Sequence, residues 1–202
     1  MSKMELLYKE KCNEPSDINE HLPTLYRYTK ECLHVTECGV RGICSSYAFG
    51  LGLEGRDGAR LVQIDPVGSD SQSEFSKLCE SCGIRNVFYE QSDLECPMEE
   101  TELLFIDTWH VYGQLKRELA RWHPHVSKYI IMHDTTVDGI YGETVRQNMN
   151  ARLQSVQFNM PVEEITKGLW PAIEEFLAEH PEWVLHERYT NNNGLTILKR
   201  SN

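Results

Sequence analysis

The sequence predicts an α/β protein, doubly wound, with helices on both faces of a mostly parallel sheet, and three observations carry that expectation. Short apolar segments of strand length recur at HVTEC (34–38), RLVQID (60–65), NVFYE (86–90), ELLFID (102–107) and KYIIM (128–132). The stretches between them, such as SEFSKLCESCG (73–83) and GQLKRELARW (113–122), have helical spacing. The chain then closes on WVLHERY (183–189) and GLTILKR (194–200), which flank the turn signal TNNNG and read as an antiparallel hairpin.

Taken in order, residues 1–16 read as a loose tail. Ile18, Leu22, Leu25 and Tyr26 recur at near-helical spacing, so INEHLPTLYRYTKECL is expected to form an amphipathic helix with Asp17 as its cap. Strand and helix then alternate to residue 132, which is the pattern of parallel strands joined by crossover helices. The polar stretch from Val137 to Gln157 is long enough for a lid or a side insertion. PVEEITKGLWPAIEEFLAEHPE reads as one late helix interrupted at Pro171. No repeat or low-complexity linker divides the 202 residues, so one domain over 1–202 is expected.

Composition narrows the function classes. A formal net charge of -11 disfavours a nucleic-acid partner, because phosphates are held by clustered Lys and Arg. No apolar stretch reaches the roughly 20 residues that cross a bilayer, and the N-terminus lacks a signal-like apolar run, so a cytoplasmic protein without membrane insertion is expected. Seven cysteines, an odd number, fit thiols in a reducing compartment better than a disulfide framework. Cys79 and Cys82 form a CxxC without a second ligand pair, and Cys32, Cys38 and Cys44 suit core positions.

Parallel sheets bind ligands at the carboxyl ends of their strands, so the residues just past each strand are the candidates. After the first strand come Glu37, Gly39 and Gly42, then Ser45 and Ser46 at a helix start. Asp65 ends the second strand, where it could accept from a ribose diol, and Ser92 with Asp93 follows the third. FIDTWHVYG sets His110 three residues past Asp107, and KYIIMHDTT ends in His133 and Asp134. A nicotinamide dinucleotide is disfavoured because Arg41 stands where GxGxxG needs its second glycine, and Glu37 adds negative charge where a diphosphate would lie. A ligand with a cationic portion fits better.

The series Glu37-x-Gly39-x-x-Gly42, Asp65, Ser92-Asp93, Asp107-x-x-His110 and His133-Asp134, with the closing hairpin, resembles the class I S-adenosylmethionine-dependent methyltransferases. Within them it is similar to the metal-dependent sugar and macrolide-sugar O-methyltransferases, a branch that also holds cephalosporin hydroxylase-like relatives. The likeness runs from about Leu33 to Arg200 and is firmest in TECGVRGICSS, FIDTWHVYGQLKRELARW, YIIMHDTT and NNNGLTIL. It implies a Rossmann-like, seven-stranded sheet with an antiparallel last strand. It also implies S-adenosyl-L-methionine as cofactor, with Glu37 and Gly39 against the methionine part, Asp65 on the ribose, and Ser92 and Asp93 near the adenine.

On that topology the strands ending at Asp107 and Asp134 are neighbours about 4.8 Å apart, so their carboxylates can share one divalent cation. Mg2+ or Mn2+ would leave positions for two vicinal hydroxyls and acidify the one that reacts. His133 stands where some members of the branch have a second acid and is the third candidate ligand; imidazole suits Mn2+ better than Mg2+. His110 is the candidate general base, and Trp109 and Tyr112 are candidates to stack on the acceptor. The expected reaction is O-methylation of a sugar hydroxyl on a small-molecule or glycan acceptor. A catechol-like acceptor and a non-catalytic interaction module are the alternatives. The reading admits a homo-oligomer or a place within a larger multidomain enzyme.

Overall fold

The computed structural model describes residues 1–201. Seven strands form one sheet in the order β3-β2-β1-β4-β5-β7-β6. They are β1 (His34–Cys38), β2 (Arg60–Ile64), β3 (Arg85–Tyr89), β4 (Thr101–Ile106), β5 (Val126–His133), β6 (Trp183–Tyr189) and β7 (Leu195–Arg200). β1 to β5 pair in parallel, whereas β7 is antiparallel to both β5 and β6. The expected α/β class, mostly parallel sheet and closing hairpin are thus all present. Strand order reverses between β1 and β4, and such a switch point opens a crevice at the carboxyl ends of the strands.

Side-chain alternation along the strands splits the core in two. On β4, Leu103 and Phe105 join a cluster with α1 (Lys3–Asn13), α2 (Leu22–Thr29), α3 (Ser45–Leu53) and α4 (Asp70–Ser81). Leu104 and Ile106 face the opposite layer, built on α5 (Tyr112–Trp122) and α9 (Leu169–Glu179). Strands buried on both faces read as continuous apolar runs, which is why these segments stand out in the sequence.

Three expectations change. The first sixteen residues are not a loose tail: α1 occupies most of them, capped by Ser2, and buries Met4 and Tyr8. Full burial of Met4 contributes about 2 kcal/mol of hydrophobic stabilisation. Asp17 caps no helix. A 3-10 turn, Asn19–His21, precedes α2, and the Asp17 carboxylate pairs instead with Arg41 at 3.2 Å. The late helix breaks at Lys167 and Gly168, between α8 (Val162–Thr166) and α9, and not at Pro171. Pro171 lies in the first turn of α9, where a missing N–H costs no intrahelical bond.

Residues 137–157 carry α6 (Glu143–Arg146) and most of α7 (Ala151–Phe158). Glu143 N–H donates to the His110 carbonyl at 2.9 Å, which ties this segment to the end of β4. Among the described residues no helix is long and apolar enough to cross a membrane.

Candidate metal centre and cofactor cleft

Register and alternation bring the acids together. Ile106 pairs with Met132, so Asp107 and His133 are the next residues past that pair and lie on one face. His133 Nδ1 is 3.3 Å from Asp107 Oδ1, and His110 reaches back to donate from Nε2 to the same oxygen at 3.1 Å. Asp134 adopts a left-handed conformation (φ 56°) that turns its side chain into the group. Its Oδ2 lies 2.9 Å from His110 Nδ1. Asp138 Oδ2 and Glu143 Oε2 stand 3.4 and 3.7 Å from the same nitrogen.

Four carboxylates therefore surround one imidazole. Burial alone would lower the pKa of His110, but the hydrogen bond to Asp107 and the nearby carboxylates of Asp134 and Asp138 outweigh it and hold the ring well above its ordinary value. Burial likewise works to raise Asp107, yet His133 and His110 keep it well below the usual carboxylate range. Asp138 is depressed too, burial being outweighed by Arg146, which grips both of its oxygens at 2.6 and 2.8 Å.

The group fits a divalent cation. Asp107, His110 and Asp134 each offer a donor atom, all within 4.8 Å of one another. Asp134 Oδ1 is buried without a hydrogen-bond partner, and His110 Nδ1, for all its nearby oxygens, has no well-directed one. Of these three, the Asp107 and Asp134 oxygens are hard donors that suit Mg2+ or Mn2+. His133 is not in the ligand group: its Nε2 faces the backbone carbonyls of Asp17 and Asn192 at 3.0 and 3.2 Å, so it braces Asp107 from behind. A narrow pocket of about 10 Å³, room for about one water, opens between His110, Trp109, Glu118 and His133.

At the cofactor end the expected residues are present but differently engaged. Glu37 is engaged within the fold. It is fully buried because its two oxygens accept from Ser45 (2.5 Å), Ser46 (2.7 Å) and Gln63 (2.9 Å). Ser45 is thereby committed as well. Gly39 (φ +85°) is needed for close packing: a Cβ there would lie 1.9 Å from the Asp107 carbonyl oxygen. Gly42 faces open space, as a ligand-facing backbone requires. Asp65 accepts from the backbone N–H groups of Val40, Arg41 and Val67, and so pins the loop after β1 over the end of β2. Ser92 accepts from Leu94 N–H. Asp93 is buried with Oδ2 unpartnered, beside Glu118, whose Oε2 is also unpartnered; Gln114 donates to both residues. Burial raises both carboxyls, and the charge of Asp93 pushes Glu118 further.

The aromatic candidates divide. Trp109 is half-buried at the rim, its ring 4.8 Å from that of Phe158. Tyr112 is not at the rim: its phenol is locked in the seam between α5 and α9, with the hydroxyl on Glu175 (2.6 Å) and Lys116 (2.8 Å). Lys167 covers its ring at 4.1 Å. Asp138, Glu143 and Glu118 were not singled out from the sequence. Asp138 had one readable signal, an acid four residues after Asp134 in a turn that Asp138 N–H closes on the Asp134 carbonyl. Glu118 had another, a carboxylate among the apolar positions Leu115, Leu119 and Trp122 of α5.

Glu37 gives a stability prediction. Burial pushes its carboxyl up to about 7 from an ordinary 4.5, the hydroxyl and amide donors offsetting only part of the rise. The folded chain thus keeps a proton that the unfolded chain has lost between those values. The contribution is complete below the unfolded pKa and disappears as pH rises through about 7. Relative to Glu37→Gln, the parent should lose about 3 kcal/mol between about pH 5 and pH 9 in paired denaturation series. A difference that does not vary with pH would refute this.

No protein-family model and no curated protein matches the chain. Solved structures do. A protein from Corynebacterium glutamicum is 14% identical, with a TM-score of 0.63 over 100% of this chain and 91% of that one. The O-methyltransferase TomG from Streptomyces achromogenes, solved with SAM and involved in tomaymycin synthesis, is 13% identical, with a TM-score of 0.60 over 100% and 91%. The SAH-bound methyltransferase PaMTH1 from Podospora anserina is 14% identical, with a TM-score of 0.58 over 100% and 89%. At such identities the likeness establishes the fold, which this chain shares with class I methyltransferases.

Proposed function

We propose that this chain is an S-adenosylmethionine-dependent O-methyltransferase, assisted by Mg2+ or Mn2+, that methylates one hydroxyl of a vicinal diol on a sugar, free, nucleotide-linked or within a glycan. The observation that carries the reading is the convergence of Asp107, His110 and Asp134 at the carboxyl ends of β4 and β5, beside the switch point of a methyltransferase fold.

Asp107 and Asp134 would hold the cation, and a cation there supplies Lewis acidity that lowers the pKa of an acceptor hydroxyl. With a cation balancing the charge of Asp107 and Asp134, the field that otherwise keeps His110 protonated would be relieved, and the neutral ring would then take the proton. Its Nε2–H is held by Asp107, which fixes the ring and leaves Nδ1 to accept it. Asp107 is in turn braced by His133 and by the backbone packing at Gly39. S-adenosylmethionine supplies the methyl group. We assign its ribose to Asp65, its adenine to Ser92 and Asp93, whose Oδ2 lacks a partner, and its methionine part to the backbone at Gly42. Asp65 would exchange part of its grip on the loop for the ribose.

A catechol-like acceptor is the second reading, favoured by the apolar rim of Trp109 and Phe158. Methyl-transfer assays over sugars, nucleotide sugars and catechols, with Mg2+, with Mn2+ and with chelator, test both. The expected result is turnover on a sugar diol that chelator abolishes. Turnover on catechols alone would select the second reading, and full activity in chelator would refute metal assistance.

A further inference from the structure

A second cluster of side chains with metal-ligand chemistry lies at the opposite end of the strands, where β5 and β6 begin. α5 ends at Trp122 and is capped by His123, α9 ends at Glu179 and is capped by His180, and each histidine is followed by a proline. The chain then enters β5 at Val126 and β6 at Trp183, both at their amino ends, away from Asp107 and Asp134. Because α5 and α9 pack side by side, the two imidazoles meet with ring centroids 4.1 Å apart, backed by Phe176. Glu182 Oε1 lies 3.5 Å from His180 Nδ1, and one donor atom each of His123, His180 and Glu182 falls within 4.8 Å of the others.

We infer that His123, His180 and Glu182 form a Zn2+ site that clasps the carboxyl ends of α5 and α9. Two imidazoles and a carboxylate are a zinc donor set, which water completes to a tetrahedron. Bond lengths to zinc place tetrahedral donors about 3.4 Å apart, so closing the present spacing asks only for small side-chain rotations. His123 is prepared as a ligand: its Nδ1–H donates to the Leu119 carbonyl at 2.8 Å, which leaves Nε2 as a lone pair. Two helix carboxyl termini converge here, and their carbonyl dipoles favour a cation over an empty site. The site is separate from the proposed Mg2+ or Mn2+ centre in place and in donor chemistry, since imidazoles favour the softer ion.

The test is titration of the full chain with Zn2+, read by calorimetry and thermal denaturation, and with Co2+, read by its visible absorption. The expected result is a zinc equivalent that Asp134→Asn retains and His180→Asn loses. Tm should rise by about 5 °C when zinc is a hundredfold above its Kd. Co2+ should give the intense absorption of tetrahedral coordination in Asp134→Asn and not in His180→Asn. Glu182→Gln, on a half-buried side chain with no other ion-pair partner among the described residues, provides the same comparison if His180→Asn folds poorly. Zinc uptake and Tm rise unchanged in His180→Asn or Glu182→Gln would overturn the assignment, as would an absence of the tetrahedral cobalt spectrum in Asp134→Asn.

Discussion

Asp107→Asn is expected to lower methyl transfer by about 10³-fold, because it removes the carboxylate that is hydrogen-bonded to both histidines of the proposed centre. Its Oδ1 is 3.1 Å from His110 Nε2 and 3.3 Å from His133 Nδ1, and it is one of the two acids assigned to the cation. Loss of Lewis-acid stabilisation is worth several kcal/mol, and each 1.4 kcal/mol is about tenfold in rate. The amide would also loosen the imidazole orientation, since an asparagine can offer its NH2 to a nitrogen that needs an acceptor. Steady-state kinetics with saturating Mn2+ measure the effect. A fall smaller than about tenfold would remove Asp107 from the centre.

Gly39→Ala should be the most damaging single methyl group in the chain. The φ of +85° disfavours an L side chain by roughly 1–2 kcal/mol, and the new Cβ would meet the Asp107 carbonyl oxygen at 1.9 Å. Backbone cannot swing aside as a flexible side chain can, so overpacking adds about 1–3 kcal/mol. Together these give about 3 kcal/mol and a Tm lowered by roughly 10 °C for a chain of this size. The displaced strand end would carry Asp107 with it, so metal affinity should fall along with stability. A Tm within about 2 °C of the parent would show that the β1 and β4 ends are less tightly apposed than described here.

The strands were legible because a parallel strand covered on both faces must be apolar throughout, and Leu103 to Ile106 or Tyr129 to Met132 have no other simple reading. Helix α1 was not, because KMELLYKEKCN carries charge at nearly half of its positions and buries only Met4 and Tyr8. Pro171 misled because a proline breaks a helix interior but is tolerated in a first turn, and the break came at Gly168. At the site, the sequence placed Asp107, His110 and Asp134 at neighbouring strand ends, and period-two alternation does the rest. The roles of Glu37, His133 and Tyr112 depended on which donor or acceptor each met first. Those partners, Ser45 and Gln63, Asn192, and Glu175, are 8 to 63 positions away in sequence, and no local pattern reports them.

Manganese binding followed by electron paramagnetic resonance, with S-adenosylhomocysteine present, tests the central claim most directly. The account predicts that the parent binds Mn2+ and that the double variant Asp107→Asn/Asp134→Asn binds it at least about 100-fold more weakly. Equal Mn2+ affinity in parent and double variant would contradict it.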